Sequence, residues 1–129
     1  MNFWRQAILR YLCLCAALAL LGPALPALAQ GAAPSPGKPA LYEFGAGYCY
    51  SCKEMAKIMA ELQPVYSDRV EFRLVYADKE KELFKQYSIM LIPTQVFLDA
   101  SGKEVERHIG PLTRDEIIQK LKDLKFIGK

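Results

Sequence analysis

The chain has 129 residues, with 17 Lys and Arg against 14 Asp and Glu, and 52% of its residues are hydrophobic. That length holds one small domain rather than several. A net charge of +3 with no basic stripe gives a nucleic-acid binder no electrostatic footprint.

The first thirty residues differ from the rest. Met1 to Arg10 carries Arg5 and Arg10 and no acid, and Tyr11 to Leu21 is almost wholly apolar. Gly22, Pro23 and Pro26 then break any helix, and Ala27-Leu28-Ala29 ends the segment with small residues flanking one large one. Basic start, short apolar run and small-residue end predict a secretory signal over residues 1–29, cleaved near Ala29. The competing reading is an uncleaved membrane anchor, but the apolar run is shorter than the roughly 20 residues a spanning helix needs. Cleavage removes two of the seventeen basic residues and no acid, leaving fifteen against fourteen. It also removes Trp4 and two of the four cysteines, Cys13 and Cys15.

Residues 30–39 are rich in Gly, Ala, Pro and Ser and read as a flexible linker. The domain proper then runs over residues 40–129. Ala40 to Gly45 is short and apolar apart from Glu43, and predicts a buried strand. Cys49-Tyr50-Ser51-Cys52 follows, and after it Met55, Ile58, Met59 and Leu62 recur at helical spacing. Pro64 is expected to end or kink that helix. Met55 and Met59 are expected in the core rather than on a metal.

The two remaining cysteines are the chemical signal. A helix starting at Cys49 aims its unpaired N–H groups and positive dipole end at that sulfur, favouring thiolate over thiol. Cys49 becomes a nucleophile near neutral pH. Cys52, one turn on, can close a disulfide or resolve a mixed one. A structural role fits poorly, because a bridge closing so small a loop restrains the unfolded chain little.

Val70 to Tyr76 predicts a second strand with Val70, Phe72, Leu74 and Tyr76 on one face and Glu71, Arg73 and Val75 on the other. Asp78 can cap a helix over residues 79–87 that turns Leu83, Phe84 and Tyr87 inward. Thr94 to Leu98, a turn at Asp99 to Gly102, and Lys103 to Ile109 predict a hairpin. Thr113 and Glu116 form a capping box for a last helix that buries Ile117, Ile118, Leu121 and Leu124. The order is β-α-β-α-β-β-α in an α/β domain. The first two strands should pair parallel and the hairpin antiparallel. His108, the sole histidine, is expected to be structural or at the surface.

A strand, a CxxC at a helix start, Ile92-Pro93-Thr94 about forty residues on, the Gly102 turn, Gly110 and a final helix together resemble the thioredoxin family. The resemblance spans about residues 40–124 and implies a minimal four-stranded mixed sheet with helices on both faces. It implies that Cys49 is the attacking thiol and Cys52 the buried resolving thiol, forming a redox-active disulfide with no other cofactor. It implies a cis bond before Pro93, with Ile92 facing a bound substrate strand. Glu43 matches a buried acid that serves Cys52 as proton acceptor, an arrangement that burial would support by raising its pKa. An exposed strand position, or pairing with Arg73, is the alternative for Glu43. The chain departs from the family pattern in three places. Leu74 stands where a Lys is usual, Tyr48 replaces a Trp before the first Cys, and Tyr50-Ser51 replaces Gly-Pro. Tyr48 and Tyr50 then join Ile92 and Pro93 as the expected substrate-docking surface.

The expected activity is exported thiol–disulfide exchange on protein disulfides by a monomer, in the reducing rather than the oxidising direction. A reductase outside the cytosol needs an electron donor, expected to be a membrane thiol relay. The alternative is a Cu(I) carrier, since paired thiolates suit that soft ion. A zinc site would want four ligands, and the mature chain offers two Cys and one His.

Overall fold

The computed structural model describes Ser35 and residues 37–128. The expected signal segment, and all of the expected linker except Ser35 and residues 37–39, lie outside the described residues. The described end of the linker is tied to the domain. The Ser35 N–H donates to the Glu71 carboxylate at 2.7 Å, and the Lys38 ammonium to the Ser67 carbonyl at 3.0 Å.

Four strands form one sheet: β1 (Ala40–Gly45), β2 (Glu71–Tyr76), β3 (Thr94–Leu98) and β4 (Glu104–Ile109). Their order across the sheet is β2-β1-β3-β4. β1 pairs parallel with β2 and antiparallel with β3, and β3 pairs antiparallel with β4. Three helices, α1 (Tyr50–Tyr66), α2 (Lys81–Gln86) and α3 (Arg114–Asp123), complete the expected β-α-β-α-β-β-α order. Among the described residues no helix is long and apolar enough to cross a membrane.

Alternation along the strands divides the core in two. Leu41 and Phe97 face α1 and α3, where Met55, Met59, Leu62, Ile117 and Leu121 meet them. Ala40, Tyr42, Phe44, Val96 and Leu98 face the other way, toward Leu83, Phe84 and Tyr87 of the α2 region. Both inner strands are buried on both faces, so they are mostly apolar, with Glu43, Thr94 and Gln95 as their buried polar residues. Each fully buried Leu, Ile or Phe contributes about 1.5–3 kcal/mol.

Two local expectations are corrected. Pro64 does not end α1, which runs on to Tyr66 and closes with the Ser67 N–H on the Gln63 carbonyl at 2.9 Å. Asp78 does not cap α2. The N–H groups of Lys79 and Glu80 both turn back to the Tyr76 carbonyl, so the helix starts only at Lys81, with Glu80 at its N-cap. Val75 is fully buried against the α2 side, as expected of a sheet with helices on both faces. The Thr113–Glu116 capping box forms as expected. Of the four residues α3 was to bury, Ile117 and Leu121 are buried fully and Ile118 and Leu124 partly.

Candidate functional site

β1 delivers the chain to the dithiol. After Gly45 a tight turn brings the Cys49 N–H onto the Ala46 carbonyl at 3.1 Å, and α1 starts at the next residue. Cys49 is the N-cap, and its Sγ accepts the Cys52 N–H at 3.3 Å. A sulfur in the place usually held by a Ser or Asp oxygen thus receives one of the helix's orphan donors. Ser51 Oγ lies 3.5 Å from the same sulfur. Cys49 and Cys52 are joined as a disulfide, with Cα atoms 5.3 Å apart. Their exposures differ: Cys49 is half-buried at the surface, whereas Cys52 is 3% exposed. Only one sulfur of the pair is open to a partner.

Gly45 is required by close approach. A Cβ there would sit 3.0 Å from Cys52 Cβ and 3.3 Å from its Sγ. The end of β1 therefore lies directly against the buried sulfur. Glu43 is two residues back on the same face, about 7 Å along the strand.

Glu43 is 2% exposed. Its neighbours across the sheet are Leu74 on β2 and Gln95 on β3, and Gln95 in turn pairs with His108 on β4. Gln95 Nε2 donates to Glu43 Oε2 at 2.8 Å. The remaining oxygens, Glu43 Oε1 and Gln95 Oε1, are buried without a hydrogen-bond partner. Burial pushes the Glu43 carboxyl up to about 8, against the opposing pull of the Gln95 N–H. Arg73 is no counter-ion for it. That side chain lies on the opposite face, pairs with Glu80, and stands 5.3 Å from the ring centroid of Tyr42. The two alternatives for Glu43, an exposed position or a pair with Arg73, are thereby set aside.

Pro93 reaches the same end of the sheet. The Ile92–Pro93 peptide is cis. The buried Pro93 accepts the Gly110 N–H on its carbonyl at 2.8 Å, and the Thr94 hydroxyl donates to the Leu91 carbonyl at 2.8 Å. Thr94 is the register partner of Phe44, next to Gly45. Tyr48 and Tyr50, which flank Cys49, are strongly exposed. So are Met90 and Leu91, on the loop leading into Ile92. Met55, one turn beyond Cys52, accepts the Leu112 N–H on Sδ at 3.3 Å, which ties the segment after Gly110 to α1.

Sequence reasoning named the dithiol, Glu43, Tyr48, Tyr50, Ile92 and Pro93, and the fold gathers them at one end of the sheet. It missed Met90 and Leu91. Two large apolar residues in a predicted loop just before Pro93 were the available signal. It also missed Gln95, a large amide in a strand read only as the first arm of a hairpin. Among the described residues no group of three or more His, Cys, Asp or Glu could hold a metal ion.

The family model described as Thioredoxin matches residues 32–123. A thiol:disulfide interchange protein TxlA homolog from Synechocystis is 38% identical over 96 residues, which is 69% of this chain and 53% of that protein. Thioredoxin from Alicyclobacillus acidocaldarius is 31% identical over 87 residues, 67% of this chain and 82% of the relative. The chain spans only about a third to a half of several longer curated relatives. Among solved structures, thioredoxin from Fasciola hepatica superposes with a TM-score of 0.61 at 28% identity, covering 68% of this chain and 82% of that one.

Proposed function

The chain belongs to the thioredoxin family of thiol–disulfide oxidoreductases, and on that premise we propose that it is an exported disulfide reductase working through Cys49 and Cys52. The observation that carries the reading is the asymmetry of the pair: Cys49 caps a helix and meets solvent, and Cys52 is buried behind it.

In the reduced protein the Cys49 thiolate attacks one sulfur of a substrate disulfide. A mixed disulfide forms, and the other substrate sulfur leaves with the electron pair. Cys52 then gives its proton to Glu43 and attacks the Cys49 sulfur. The Cys49–Cys52 bond closes, the bond to substrate breaks, and the second substrate thiolate departs. The substrate has gained two electrons and the dithiol has lost them. Tyr48, Tyr50, Ile92 and Pro93 provide the docking surface, which Met90 and Leu91 extend.

Export rests on the residue 1–29 pattern, which places a reductase where thiols need an outside electron source. A membrane thiol relay is the donor class that fits, and the protein acts as a monomer on protein disulfides. Insulin reduction with dithiothreitol tests the core of this reading. The wild type should accelerate precipitation and Cys49→Ser should abolish the effect; an inert wild type would sink it. The reduction potential of the isolated pair then gives the direction. A value near that of strong oxidants would reverse the assignment.

A further inference from the structure

Among the described residues the exchange just described leaves one fully buried polar side chain without a task, Gln95. Its β3 neighbours Val96, Phe97 and Leu98 are apolar, as a strand covered on both faces favours. Burying an amide is costly where a polar atom goes unpaired, and Gln95 Oε1 is unpaired. Packing alone would select an apolar residue here. We propose that Gln95 is a positioning residue for thiol–disulfide exchange: its amide N–H holds Oε2 of Glu43, leaving Oε1 as the carboxyl atom that trades a proton with Cys52. This rests on the role given to Glu43 above.

The geometry supports it on three counts. The 2.8 Å bond fixes one carboxyl oxygen and with it the direction of the other. The free oxygen is buried and unpartnered, so it retains full capacity to accept a proton. The face it occupies leads through Gly45 to Cys52. During release the Cys52 S–H proton passes to Oε1, the Cys52–Cys49 bond forms, and the bond from Cys49 to substrate breaks with its electron pair on the substrate sulfur. In the opposite direction the same proton returns to Cys52.

Few other groups titrate nearby. α1 offers Cys52 and the apolar Met55, β2 offers Leu74, and α3 offers Ile117 and Leu121. β3 offers uncharged Gln95, and β4 places His108 one strand beyond it. Arg73 and Glu80 belong to the other face.

The oxidised protein isolates the test, because its cysteines do not titrate. The midpoint of Glu43 is read from the carbon-13 shift of its carboxyl. Gln95→Met removes a donor that favours the carboxylate, so the midpoint should rise by about one pH unit. Release of a Cys49 mixed disulfide at neutral pH should slow by about tenfold and recover above the new midpoint. A midpoint that stays or falls overturns the proposal. If the variant does not fold, the wild type still decides: the Gln95 side-chain amide protons should shift with the Glu43 midpoint, and an amide blind to it overturns the proposal. His108→Asn should leave the midpoint in place; a shift as large as that of Gln95→Met would move the role away from the amide. Glu43→Gln separates the two claims. If it releases substrate as fast as wild type, the role of Glu43 fails. If it is slow while Gln95→Met leaves the midpoint unmoved, only the inference about Gln95 fails.

Discussion

The two faces of the sheet treat an ionisable side chain in opposite ways. On the α2 face Arg73 is surrounded by partners: the Glu80 carboxylate and the Tyr42 ring share it. Around them Phe44 packs edge-on to Phe84 at 5.2 Å, and Tyr42 edge-on to Tyr87 at 5.9 Å. On the α1 face Glu43 has one neutral hydrogen bond and a free oxygen. A buried carboxylate so poorly compensated is expensive and tends to stay protonated. The α2 face is arranged for stability, with its charge neutralised. The α1 face keeps an unresolved ionisable group, and that group lies on the face that carries the dithiol. Perturbed acids gather at sites of proton transfer, which is the role proposed above for Glu43.

The sharpest way to break this contrast is to damage each face and compare the consequences. Phe44→Ala removes a ring packed against Phe84 and Tyr87, and should cost about 3–5 kcal/mol. Denaturant unfolding checks this. The loss should be the same at every pH, since nothing removed can titrate. A strongly pH-dependent loss would show that the α2 face also hides a frustrated charge.

Glu43→Gln should do the reverse, with an effect of similar size that depends wholly on pH. The folded carboxyl is pushed up to about 8, whereas the unfolded one titrates near 4.5. Between those values the folded state holds a proton the unfolded state has released. Wild-type stability therefore falls as pH rises through this window and levels off above it. The neutral amide removes the fall. The oxidised variant should equal the wild type at about pH 4 and exceed it by up to about 5 kcal/mol at about pH 9. Unfolding curves for the pair across that range give the difference directly. A variant no more stable at the alkaline end would mean that Glu43 is better compensated than its one hydrogen bond indicates.

Legibility differed between the faces for the same physical reasons. The strands, α1 and α3 were readable because apolar periodicity and a capping box write them into the chain. The dithiol was readable because the CxxC at a helix start comes together with Ile92-Pro93-Thr94, the Gly102 turn and Gly110. Asp78 was misread because it is a good capping residue in isolation, and the Tyr76 carbonyl takes the N–H groups that would have started the helix there. Gln95 could not be interpreted at all without register. Its meaning comes from lying opposite Glu43, a partner 52 residues away.

Arg73→Gln sharpens the comparison most finely, because its expected effect is the smallest. The Arg73 and Glu80 side chains are 22% and 29% exposed, so solvent screens part of their attraction. Losing the pair and the ring contact should cost about 1 kcal/mol. The guanidinium keeps its charge across the accessible pH range, so the cost should not follow the window in which Glu43 titrates. Combined with Glu43→Gln, the two effects should add, because the side chains lie on opposite faces and share no partner. Measured at about pH 6 and about pH 8, the double variant should track Glu43→Gln with a constant offset. An offset that changes with pH would mean that Arg73 acts on Glu43 through the sheet, and the division of labour between the faces would be lost.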